Sequence, residues 1–117
     1  IKHLKGVHTI NLGNCNRITD KGVAMLAGVH DIDLSFCSNM SDEGIKALKG
    51  VHTINLFKCW KITGDGIMAL SGADTIDIRY CLRVQYSVID MLQRTKAVRN
   101  IITTKTMQYL GKHCYPF

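Results

Sequence analysis

Apolar and polar positions along the chain follow two alternating rhythms. In Val7 to Leu12, Ile10 and Leu12 alternate with Thr9 and Asn11, the period of a short strand with one buried face. After Cys15 the apolar positions spread to Ile18, Val23 and Leu26, with Thr19 and Asp20 ahead of the run. That order predicts a helix start, in which a hydroxyl accepts an orphan backbone N–H and a carboxylate sits at the positive end of the dipole. Gly28 follows, where a helix C-cap needs a positive φ. The predicted unit is strand, turn, short helix and stop.

The unit then recurs at a fixed step of 22 residues. Cys15, Cys37, Cys59 and Cys81 keep that step, as do Leu4, Leu26, Leu48, Leu70 and Leu92. Ile10, Ile32, Ile54 and Ile76 form the strand column, and Ile18, Met40, Ile62 and Val84 a loop column. Gly22, Gly44 and Gly66 stand at the helix entry, and Gly28, Gly50 and Gly72 at its exit. The segment LKGVHTINL from Leu4 to Leu12 returns unchanged from Leu48 to Leu56. One such unit is too small to bury its own apolar face, so the units must stack. The strands would lie parallel at about 4.8 Å and the apolar columns would merge into one core. The predicted fold class is α/β, a right-handed solenoid with strands on its concave face and short helices on its convex face.

The pattern V-x-x-I-x-L-x-x-C-x-x-I-T-D-x-G-I-x-A-L resembles the cysteine-containing leucine-rich repeat, and the likeness runs from about Leu4 to Leu92. That resemblance implies a leucine-rich-repeat solenoid of the type found in F-box proteins, which select substrates for cullin-based ubiquitin ligases. The near-identity of whole units also resembles the large repeat families of giant DNA viruses of amoebae. No F-box is present within the sequence. Ile1 falls in the helix column of Val23, Ile45 and Ile67, so the chain is expected to start partway through a repeat.

Residues 1–94 are read as four to five repeats, the first truncated, and residues 95–117 as a degenerate last repeat with a C-terminal cap. The decay is visible in the columns. Gln85 and Tyr86 replace Thr and Asp, Val88 replaces Gly, and the register slips by three residues before Val98 to Thr103. A last strand is expected there, then a short helix from about Thr104 to Leu110.

Composition sharpens this picture in three ways. With 117 residues, 46% of them hydrophobic, and a single Pro, the chain reads as one ordered domain. No apolar run approaches the roughly 18 residues of a membrane span. Four of the five cysteines follow the repeat instead of a disulfide framework, which points to a reducing, intracellular setting, cytoplasmic or nuclear. The formal charge of +6 sits at one end: Ile1 to Ile78 carries eight basic and eight acidic residues, while seven basic residues from Arg79 onward face Asp90 alone.

Candidate chemistry is sparse. Cysteines one repeat apart form a row along the axis, whereas a structural zinc needs four converging ligands, so a buried structural role is expected for them. His8, His30 and His52 form a second column just ahead of the strands, with Asp74 in its fourth place; a solvated row is expected, self-repelling if protonated. No catalytic residue, cofactor site or metal site is assigned, because each nucleophile or base recurs at equivalent places and none specifies a unique pocket.

Columns that vary between otherwise matching repeats mark the surface free to meet a partner. On the strand face these include Asp31, Asp33 and Asp77, and just beyond it Phe36, Phe57, Trp60, Arg79 and Tyr80. Aromatic residues with Arg dominate binding energy at interfaces. The expected function is therefore a non-catalytic protein-binding module that holds another protein on its concave face. The family resemblance makes it the substrate-recognition part of an F-box-type ubiquitin ligase adaptor, with Skp- and cullin-type components as further partners. The alternative is nucleic-acid or acidic-partner binding through the basic last third, which Asp31, Asp33 and Asp77 oppose.

Overall fold

A computed structural model describes residues 8–104. Strand and helix alternate through nine elements: β1 Thr9–Asn11, α1 Asp20–Ala24, β2 Asp31–Asp33, α2 Asp42–Lys46, β3 Thr53–Asn55, α3 Gly64–Met68, β4 Thr75–Asp77, α4 Tyr86–Arg94 and β5 Asn100–Ile102. The strands form one parallel sheet in sequential order, and Ile10, Ile32, Ile54, Ile76 and Ile101 lie in register across it. The step is 22 residues until the last pairing, where Thr75 meets Asn100 and the three-residue slip is taken up. The fold is an α/β solenoid built on one parallel sheet, the class the repeat predicts. The expected helix after Thr104 and the truncated opening repeat lie outside the described residues.

Stacking closes the core. Ile32, Leu34, Cys37, Met40, Ile45, Leu48, Val51 and their equivalents in the next rung are almost wholly shielded from water. Each large aliphatic side chain contributes about 1.5 to 3 kcal/mol of burial, and the benefit exists only because the neighbouring rung covers it.

The cysteine column is part of the backbone wiring. Cys37 Sγ donates to Leu12 O, Cys59 Sγ to Leu34 O and Cys81 Sγ to Leu56 O, at 3.2, 3.1 and 2.9 Å. Each thiol thus ties its turn to the rung before. Burial pushes the Cys37 and Cys81 thiols up and moves Cys59 to about 12. Cys15, on the first described rung, is exposed.

Two glycine columns serve different ends. Gly28, Gly50 and Gly72 hold φ of 96°, 95° and 99°, the left-handed exit the sequence predicts. Gly44 and Gly66 are needed for room: a Cβ there would stand 2.7 Å from Asp20 Oδ1 and 2.4 Å from Asp42 Oδ1. Those carboxylates reach forward to the next helix start. Asp20 accepts from the Ser41 N–H at 2.7 Å and from its hydroxyl, and Asp42 from the Thr63 N–H at 2.8 Å and from its hydroxyl.

The expected hydroxyl caps are correspondingly weak. Ser41 and Thr63 accept from backbone N–H groups at 3.4 and 3.3 Å, and Thr19 makes no such bond. The hydroxyl's strongest bond is to the preceding repeat's carboxylate. In the third repeat Gly64 takes the Asp place, and Val88 of α4 packs against it instead.

Candidate partner-binding edge and a histidine row

The turn after each strand is set by the strand's own last residue. Asn11, Asp33, Asn55 and Asp77 each accept, through Oδ1, the backbone N–H two positions on, at 2.9 to 3.1 Å. Asn and Asp alternate freely here because either supplies the oxygen. Asp33 and Asp77 therefore hold turns in addition to any role toward a partner. Asp77 is buried and also binds the Arg79 guanidinium, with Nη2 to Oδ2 at 2.7 Å.

Three residues past the end of each strand, the chain turns left-handed. Asn14, Phe36, Lys58 and Tyr80 have φ of 65°, 62°, 60° and 63°. Asn tolerates that conformation; a bulky aromatic there is strained by about 1 kcal/mol or more. Phe36 and Tyr80 are nevertheless held there and are 38% and 46% exposed.

These side chains gather on one edge of the solenoid. Half-buried Phe57 meets Phe36 and Tyr80 edge-on, with ring centroids 5.2 and 5.5 Å apart. Lys58 Nζ lies 5.5 to 5.7 Å from all three rings, and the Arg79 guanidinium 4.9 Å from Phe57. Trp60, 47% exposed, forms a second cluster with Lys61 and Arg83, at 5.5 and 5.1 Å. Four of the sequence-derived residues, Phe36, Phe57, Arg79 and Tyr80, are thus brought together, and Trp60 stands in a separate cluster. Lys58 was not singled out from sequence, although its place between Phe36 and Tyr80 in one column is the signal that would have found it.

Asp31 lies elsewhere, beside the histidines. His8, His30 and His52 stack with centroids 4.2 and 4.4 Å apart and planes within 17°. Asp31 carboxylate oxygens stand 3.1 Å from His30 Nδ1 and 3.8 Å from Nδ1 of both His8 and His52. The His30 ring beside it holds the Asp31 carboxyl below its ordinary range, with partial desolvation opposing the shift.

The geometry repeats rung by rung, and the sequence does so detectably. A family model described as Leucine Rich repeat matches residues 7–27, 29–49 and 51–71, together more than half of the chain. The chain belongs to the leucine-rich-repeat family. Leucine-rich repeats are typically interaction modules, and this chain is a protein-interaction module. Among solved structures, a chain in the crystal structure of the Rad7 and Elc1 complex in yeast is similar, with a TM-score of 0.64 and 18% sequence identity. The match covers 83% of this leucine-rich-repeat chain and 29% of that one, and at this identity the likeness is one of fold. No curated protein matches the sequence. Among the described residues no helix is long and apolar enough to cross a membrane.

Proposed function

We propose that this solenoid holds a protein partner along the edge built by Phe36, Phe57, Lys58, Arg79 and Tyr80, with Trp60 as a second anchor. The observation that carries the reading is the retention of exposed Phe36 and Tyr80 in left-handed backbone. Two bulky rings held in a strained conformation, where Asn14 shows the relaxed alternative, fit selection for contact better than selection for folding. In a longer protein the module would be the substrate-recognition part of an F-box-type adaptor, joined to Skp- and cullin-type ligase components. The cysteine-containing repeat type supports that finer reading.

Affinity capture from lysate, quantified by mass spectrometry, tests the edge. Phe57→Ala and Trp60→Ala should each deplete a specific captured protein several-fold while leaving the thermal midpoint of a well-folded solenoid. Capture that is unchanged in both variants refutes the edge. The ligase reading stands or falls on whether the captured set contains ligase substrates and on whether the full-length gene encodes an F-box helical segment.

The nucleic-acid alternative is disfavoured by pairing in the basic third. Arg79, Arg94 and Arg99 are each engaged by a carboxylate, from Asp77, Asp90 and Asp74 respectively. Retention of labelled RNA at low salt would reverse that preference.

A further inference from the structure

The solenoid has a second cluster, remote in chemistry from the aromatic edge. Three imidazoles and one carboxylate meet at the entry to the strands, where backbone bonds fix the rungs: His30 N donates to His8 O at 3.0 Å and His52 N to His30 O at 2.8 Å. All three Nδ1 atoms lie within 3.8 Å of an Asp31 oxygen. His30 Nδ1 is buried and has no aligned hydrogen-bond partner, although Asp31 Oδ2 is 3.1 Å away. Two imidazole nitrogens and a carboxylate oxygen, all possible metal ligands, thus face one another across the first two rungs.

We infer that His8, His30 and Asp31 form a binding site for a borderline divalent cation such as zinc, with the fourth coordination position left to water. One ligand atom from each of the first three lies within 4.8 Å of the others. Zinc bonds to imidazole nitrogen and carboxylate oxygen at about 2.0 to 2.2 Å, which places tetrahedral ligands roughly 3.4 Å apart. The 3.1 Å and 3.8 Å separations from Asp31 bracket that value. Stacked rings cannot both aim in-plane lone pairs at one point, so binding must turn the His8 ring out of the stack. His8 has 70% of its side chain in solvent, and turning gives up its stacking on His30 and the 3.1 Å contact of Nδ1 with Thr9 Oγ1. The donor set, two imidazoles and a carboxylate with one position left over, suits zinc, copper or nickel better than calcium or magnesium.

The row has a defined end. In the fourth repeat Asp74 occupies the histidine place and accepts from Thr75 Oγ1 while pairing with Arg99. The site therefore belongs to the first two rungs, and the repeat pattern alone does not place Asp31 inside it: Thr9, Thr53 and Thr75 fill the equivalent positions.

Titration of the whole chain with zinc chloride, followed by long-range ¹H–¹⁵N spectra of the imidazole rings, tests the proposal. Wild-type protein should show saturable shifts at His8 and His30 and loss of their stacking contacts. Outer partners of metal ligands are already worth 10- to 100-fold in affinity, so His8→Gln and His30→Gln should each weaken binding by at least about tenfold. Cys15→Ser, which removes the exposed thiol, and Phe57→Ala, on the partner edge, should leave it unchanged. No shift at His8 and His30, equal affinity after His30→Gln, or loss with Cys15→Ser each overturns the assignment. A zinc-induced rise in melting temperature, present in wild type and absent in His8→Gln, separates binding from any folding defect because the His8 side chain is exposed.

Discussion

Inside the stack, the thiol of Cys59 is fully buried, its S–H donating to Leu34 O. Unfolded, it ionises near 9; folded, only near 12, because water is excluded. The folded state therefore keeps its proton longer, so this contribution to stability is complete below pH 9 and is lost as pH rises from 9 toward 12. By pH 11 the loss is on the order of 2 to 3 kcal/mol. Urea unfolding at pH 8 and pH 11 should show that drop, and Cys59→Ala should make it smaller. Residues in left-handed backbone give a second expectation. Lys96, just after α4, has φ of 58° where earlier repeats end on glycine. Lys96→Gly should raise stability by about 0.5 to 1 kcal/mol, measured by the urea midpoint. The same relief at Phe36 or Tyr80 would come with loss of edge contacts, which is why those rings report on function and Lys96 on folding.

Between elements, the forward-reaching carboxylate explains why the helix-entry column is glycine at Gly44 and Gly66. Gly66→Ala would thrust a methyl to within 2.4 Å of Asp42 Oδ1 and should destabilise by about 2 to 3 kcal/mol, since it breaks two bonds to an ionised acceptor. Asp42→Ala should be destabilising by a similar amount. The double variant should be little worse than either single one, because the methyl has nothing left to strike; a double-mutant cycle in urea reads that non-additivity directly. Additive losses would mean the glycine serves some other purpose. At Gly64 the same place on the repeat contacts Val88 across an apolar surface, so α4, nine residues long and without a side-chain cap, docks by packing.

For the molecule as a whole, stability is a sum over rungs and the couplings between them. Burial deepens from β1 to β4, with Ile10 at 9% exposed, Ile32 at 3%, Ile54 at 1% and Ile76 at 0%, and falls again in β5, where Ile101 is half-buried. Hydrogen exchange should therefore be slowest at the amides of β3 and β4 and fastest in the outer strands β1 and β5; uniform protection would mean that the stack opens as one unit. The period made the fold legible, since identical columns at a step of 22 admit only a stacked parallel sheet. Even the three-residue slip before β5 was readable from Val98 to Thr103. The candidate edge was readable as a set of exposed columns, because Phe36, Phe57 and Tyr80 break an otherwise constant pattern. Its strained backbone was not, for φ depends on the turn that Asn11 and its equivalents impose. Nor was the meeting of Asp31 with three imidazoles, because adjacency across rungs depends on where rings stack, and periodicity is blind to a single residue that departs from it.

The carboxylate of Asp20 and its equivalent at Asp42 also bear on how such a chain grows. Asp20 and Asp42 are hooks at the helix starts of the first two described units, and the glycine and hydroxyl of the following unit form the eye that receives each. A duplicated cassette would arrive with both halves of the fastener and could be inserted between existing ones without altering either neighbour. The third unit, with Gly64 in place of the hook, works as a terminator: whatever is added after it must dock through grease instead of charge.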